Sequence, residues 1–78
     1  MAGETVRLDV REMPPWERRP KIFEILDRLG PGDELELVND HDPRPLRYEL
    51  MHEREGQFDF HSGERGPREW VAHIKRAA

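Results

Sequence analysis

One imidazole sits between two carboxylates in this chain of 78 residues: His41, flanked by Asp40 and Asp42 in the run Val38-Asn-Asp-His-Asp-Pro43. A carboxylate beside an imidazole can orient the ring and raise its pKa, as a metal ligand or an acid–base group requires. A structural reading stands beside that one. Asn39, Asp40 and Asp42 are residue types that make turn and N-cap hydrogen bonds, with His41 bracing the loop. A metal site needs three or four ligands, and this stretch offers His41 with one carboxylate. His52, His61 and His73 have no ligand-like spacing and read as solvated surface residues. The chain has no cysteine. Disulfides, thiolate metal centres, iron–sulfur clusters and cysteine nucleophiles are therefore excluded. No metal and no cofactor is assigned.

A second group of candidates lies upstream. Arg18, Arg19 and Lys21 cluster where a helix should begin, and cations there oppose the helix dipole. With Arg44 and Arg47 they could frame an anion site, helped by free amide N–H groups. The alternative is solvated charges paired with Glu12, Glu17 and Glu24. Trp16 has two readings as well: it stacks on a ligand or seats a partner, or it covers the open end of a small core. A short chain has few large apolar residues to spare, which favours the covering role.

The elements that must position these residues follow from hydrophobic periodicity. Thr5–Val10 alternates Val6, Leu8 and Val10 against Arg7 and Asp9, the pattern of a strand with one face buried. Arg11–Pro15 is a turn, and Met1–Glu4 reads as a loose end. Ile22, Phe23, Leu26 and Leu29 share a helical face, with Ile25 beside them. Pro20 suits a first helical turn, so the helix is expected from Pro20 to Leu29, with an irregular turn from Trp16. Gly30 stands where a C-terminal cap belongs, and Pro31 confirms the stop.

Asp33–Val38 is the next strand, with Leu35 and Leu37 inward. Asp42 is the expected N-cap of a second helix, with Pro43 at its first position and Gly56 at its end. Gln57–His61 and Glu69–Lys75 form an antiparallel hairpin around a Gly-rich turn at Ser62–Pro67. Their inward residues are Phe58, Phe60, Trp70, Ala72 and Ile74. Every strand alternates, so one sheet face is buried and both helices pack on it. The fold class is α/β (α+β), a two-layer sandwich ordered β-α-β-α-β-β. It has a four-stranded mixed sheet with both helices on one face. The expected core is Val6, Leu8, Ile22, Leu26, Leu35, Leu37, Leu50, Phe58, Phe60 and Ile74.

The totals bound the rest. Residues 1–78 read as one domain, ordered over roughly 5–76. The chain is 38% charged, which would suggest disorder were the apolar residues not patterned. The net charge of −4 argues against nucleic acid and against an anionic membrane surface. No apolar run is long enough for a signal peptide or a membrane span, and the expected location is the cytoplasm.

Leu8-Asp9, Pro15-Trp16-Glu17-Arg18 and Pro31-Gly32-Asp33 together resemble the TusA/SirA-like sulfur carriers. In those, a Leu-Asp strand leads to a Cys-Pro-x-Pro motif at a helix start, and a Pro-Gly-Glu turn precedes the second strand. A closer resemblance, over residues 6–75, is to an uncharacterised subfamily of DUF2249 type, often linked to hemerythrin-like domains. It is carried by Pro14–Arg18 and by the run Leu37–Leu46. The resemblance implies the fold and the position of a pocket. It does not imply the chemistry, because the sulfur carriers' reactive cysteine falls at Pro15, which has neither sulfur nor nucleophile.

Three functions are weighed on this basis. The first is a non-catalytic binding or regulatory module. It would hold a partner protein or small anionic ligand with Trp16, Glu17, Arg18, Arg19, His41, Asp42, Arg44 and Arg47. The second is a metal- or redox-associated accessory using His41 and Asp42. The third is an RNA-binding module, which net acidity and the lack of a basic aromatic sheet face weigh against. The oligomeric state is not legible in the sequence.

Overall fold

A computed structural model describes residues 3–77. The elements run β1 (Thr5–Asp9), α1 (Pro15–Arg28), β2 (Glu34–Asn39), α2 (Arg44–Glu53), β3 (Phe58–Gly66) and β4 (Glu69–Arg76). They form one four-stranded sheet in the order β1-β2-β4-β3. β1 and β2 are parallel neighbours joined through α1, while β4 runs antiparallel to both β2 and β3. The parallel pair sends the carboxyl ends of β1 and β2 to the same edge of the sheet, and both helices start there. Among the described residues, no helix is long and apolar enough to cross a membrane.

The core lies between the helices and one sheet face. Leu35, Leu37, Ala72 and Ile74 from β2 and β4 meet Ile22, Leu26 and Leu29 near α1 and Leu50 of α2, with Val10 beneath the first loop. Leu8, Phe58 and Phe60 are partly buried against this cluster. Val6 departs from the expected core at 37% exposure. It lies at the outer end of an edge strand, where the sheet has a neighbour on one side only. The sheet also buries apolar residues on its second face. Val38 and Val71, paired across β2 and β4, are 0% and 5% exposed. Arg11 bridges Asp9 at 2.8 Å and Glu69 at 3.8 Å, on the same face as these valines.

Several boundaries correct the sequence reading. α1 begins at Pro15, five residues before the expected start, and carries Pro20 within it. Pro20 cannot donate to the Trp16 carbonyl, and the helix runs on with that one bond missing. The α1 C-cap is Leu29 in extended conformation. Of the two glycines beside Pro31, Gly32 carries the positive φ, at +85°. It forms the second corner of a Pro31-Gly32 turn in which Asp33 N donates to Gly30 O at 2.9 Å, the type II pattern that demands glycine there.

Gly3 and Glu4 are not loose. Glu34 N donates to Glu4 O at 2.8 Å, and Glu4 N donates to Asp33 Oδ1 at 2.9 Å. Met1, Ala2 and Ala78 lie outside the described residues. β3 extends through the expected Gly-rich turn as far as Gly66. A bulge between Glu64 and Gly66 leaves Arg65 without a register partner. The actual turn is Pro67-Arg68, with Arg68 at φ +56°. Pairing to β4 outweighs the weak strand propensity of Ser62 and Gly63.

Candidate functional site

At the shared edge, the start of α1, the end of β2 and the start of α2 enclose a cleft of about 550 Å³. Pro15, Ile22, Pro43, Pro45 and Leu46 supply its apolar walls, and Arg18, Arg19, Asn39, Asp40, His41 and Glu49 its polar ones. The cleft is open. The side chains of Arg19 and His41 on its lining are 60% and 63% exposed.

Arg18 is the strut of this corner. Its guanidinium has five N–H groups, and the structure gives five acceptors. Nε donates to Met13 O at 2.9 Å. Nη1 donates to Asn39 Oδ1 at 3.4 Å and Asp40 Oδ1 at 3.1 Å. Nη2 donates to Arg11 O at 3.2 Å and Asp40 Oδ2 at 3.2 Å. The side chain is 15% exposed. Arg18 thus straps the β1–α1 loop to the end of β2 and has no donor left for a ligand.

Asp40 is set by that strut. The Arg18 hydrogen bonds, with a further bond from His41, hold its carboxyl down to about 2. It is therefore ionised and can only accept. His41 Nδ1, 2.8 Å from Asp40 Oδ1, must be the protonated nitrogen of the neutral ring. Nε2 is left with its lone pair, in a side chain that lines the cleft. The relay runs from guanidinium to carboxylate to imidazole, the arrangement that fixes a histidine's tautomer. Asn39 is fixed from the other side. Its Oδ1 accepts from Asp40 N at 2.7 Å and from Arg18, which identifies the remaining amide atom as the donor Nδ2.

The other expected site residues divide. Arg19 lines the cleft but is held by Glu49 through two donors, approaches Glu53 at 3.9 Å and lies over the Phe23 ring at 4.8 Å. Glu49 in turn holds a lowered carboxyl pKa, through the Arg19 hydrogen bond. Asp42 is not the α2 N-cap. That position is Pro43, and Asp42 Oδ1 instead accepts from Arg44 N at 3.0 Å, an Asx turn one residue earlier. The Arg44 side chain also closes on Asp42, with Nε at 2.8 Å, and lowers its pKa. Glu17, Arg44 and Arg47 are exposed. With Trp16 and Asp42 they lie outside the lining. Trp16 is 76% exposed, so it does not cover the core. It follows Pro15 at the rim.

The helix starts offer fewer free amide N–H groups than an anion site of the expected kind would use. Pro15 and Pro45 have no N–H to offer, Arg44 N is taken by Asp42, and Glu17 N donates to Pro14 O at 3.0 Å. Charges on the lining balance, two guanidinium groups against two carboxylates. Among the described residues, no group of three or more His, Asp or Glu has the geometry to hold a metal. The lining residues that sequence reasoning left outside its site set were Asn39, Asp40, Glu49, Ile22, Leu46 and the prolines. Glu49 had no local signal, since it reaches Arg19 from another helix.

A model of uncharacterised conserved proteins, DUF2249, matches residues 7–76. The chain belongs to that family. The match begins within β1 and runs to the end of β4, including the whole cleft. No curated protein matches, and no solved structure matches.

Proposed function

We infer that this DUF2249 chain is a non-catalytic binding module whose cleft receives part of a partner protein. The observation that carries this reading is an open cleft whose arginines and carboxylates are already paired, with the exposed Trp16 next in sequence to Pro15 of its wall. A volume near 550 Å³ lies in the range of ligand sites, about 300–1,000 Å³. The lining contains no hydroxyl and no thiol, so the serine and cysteine routes of nucleophilic catalysis have no side chain to use. The half-exposed walls favour a partner's protruding side chain over an engulfed metabolite, and tryptophan is the residue type that anchors such interfaces.

The order β-α-β-α-β-β supports kinship with the sulfur-carrier fold, with Pro15 at the cysteine's place on the cleft wall. The metal-linked alternative draws less support, because Asp42 is engaged by Arg44 rather than directed with His41 at a common point. An RNA surface draws little from a lining of balanced charge.

The test is NMR mapping with a library of small neutral and charged fragments. Responses concentrated in the amides of 15–22 and 39–49 are expected. Responses confined to the opposite sheet face, at 59–63 and 71–75, would overturn the reading.

A further inference from the structure

We propose that His61 and His73 form a two-histidine chelate for a divalent late transition metal, on the open face of the sheet and apart from the cleft.

The two are distant in sequence, but the hairpin register sets them directly opposite each other on β3 and β4. Their neighbours Phe60 and Ile74, also paired, turn into the core. Side chains alternate along a strand, so both imidazoles stand on the other face. Residues directly opposite in an antiparallel pair have Cβ atoms about 4.5–5.5 Å apart. Imidazole nitrogens that share one metal at about 2 Å lie about 3 Å from each other, a separation that two rings converging from such a pair can reach. Both residues line one hollow of about 420 Å³, beside Val71. His61 is exposed and the His73 side chain is 43% exposed, so a hydrated ion has access to them.

Glu34 adds an observation from a third strand. His73 Nδ1 lies 2.9 Å from Glu34 Oε2. A carboxylate accepts, so Nδ1 carries the proton and Nε2 of the neutral ring keeps its lone pair. A carboxylate on the far ring nitrogen is the usual device that orients a metal-binding histidine. Glu36 flanks His73 from β2 but is taken by Arg7 at 3.0 Å. Lys75, next along the same face of β4, stands between Glu34 and Asp59 in register, and their charges offset its own. No third His, Asp or Glu completes the site among the described residues. The protein therefore supplies two ligands, and water or a donor of another molecule fills the remaining positions. Imidazole ligands suit copper, nickel and zinc rather than magnesium or calcium.

The experiment titrates the full chain, without a histidine tag, with zinc chloride and follows amide and imidazole nitrogens by NMR. His61 and His73 are expected to shift together and to saturate at one ion per chain. His41 and His52, each a lone imidazole, should shift only at higher zinc. Glu34→Gln should weaken binding about tenfold, as loss of an orienting partner does, and loosen the preference for Nδ1 protonation at His73. His61→Thr and His73→Thr keep a residue type suited to strands, and their amide spectra report their folding. Each should weaken zinc binding at the remaining histidine by at least as much.

If His61 and His73 titrate separately, or if removing one leaves zinc binding at the other unchanged, the chelate does not exist. A first response at His41 would assign the metal to the cleft and overturn the proposal as well. So would a titration in which neither His61 nor His73 moves.

Discussion

Arg18 grips Asp40 through both ends of its guanidinium, Nη1 to Oδ1 at 3.1 Å and Nη2 to Oδ2 at 3.2 Å, across 22 residues of sequence. The same side chain binds the carbonyls of Arg11 and Met13. Two loops that meet only at the sheet edge are thereby fastened to each other. Lysine keeps the charge but offers one compact ammonium in place of a planar fork. Arg18→Lys should cost about 2 kcal/mol, because charge-assisted bonds at a mostly buried position are lost together. Urea unfolding of the two proteins measures it.

The same pair makes the corner acid-sensitive. Arg18, and after it His41, lower the Asp40 carboxyl from 3.8 to about 2. A depressed folded-state pKa contributes stability that is complete above the ordinary carboxylate value and is lost as pH falls through the folded one. Wild-type stability should therefore decline between about pH 4 and pH 2. Asp40→Asn should be the less stable protein at neutral pH and should close the gap across that window. Unfolding midpoints taken along the pH series check the trend.

Arg68 is the one described non-glycine residue with positive φ, at +56°. It occupies the second corner of the β3–β4 turn, where a side chain is strained by about 1 kcal/mol or more. Arg68→Gly should stabilise the domain by about 1 kcal/mol. Gly32→Ala, at φ +85°, should destabilise it by at least about that amount. Paired thermal melts would give both signs in one experiment.

The fold was legible where periodicity spoke plainly. Leu35 and Leu37 alternate and are fully buried, and the parallel β1–β2 pair follows from a strand, a helix and a strand with short joins. Proline rules misplaced the start of α1, because propensity treats Pro20 as a boundary while the folded helix carries it five residues in, at the loss of one bond. The hairpin's length was hidden because cross-strand pairing, not residue type, extends β3. At the site, His41 was visible from its neighbours. The pairing of Arg18 with Asp40 and of Arg19 with Glu49 was not, since each partner arrives from a different element. Two arginines of a cluster that reads as an anion site in one dimension therefore brace separate elements in three, Arg18 to Asp40 and Arg19 to Glu49.

Trp16 separates binding from folding. At 76% exposure, Trp16→Ala should change stability by no more than about 0.5 kcal/mol. Partner affinity should fall by about 2 kcal/mol or more, as for an interface anchor. Calorimetric melts and fragment binding at the cleft report the two effects independently. A large stability loss with unchanged binding would assign the indole to the fold.

The tautomer of His41 tests the central claim most directly, that the Arg18–Asp40 pair fixes the imidazole with Nε2 unprotonated in a side chain that lines the cleft. Long-range ¹H–¹⁵N correlation in mildly alkaline solution reads which ring nitrogen carries the proton. The account predicts protonation at Nδ1 with Nε2 bare, and loss of that preference in Asp40→Asn. A ring protonated at Nε2 in the wild-type protein would contradict it.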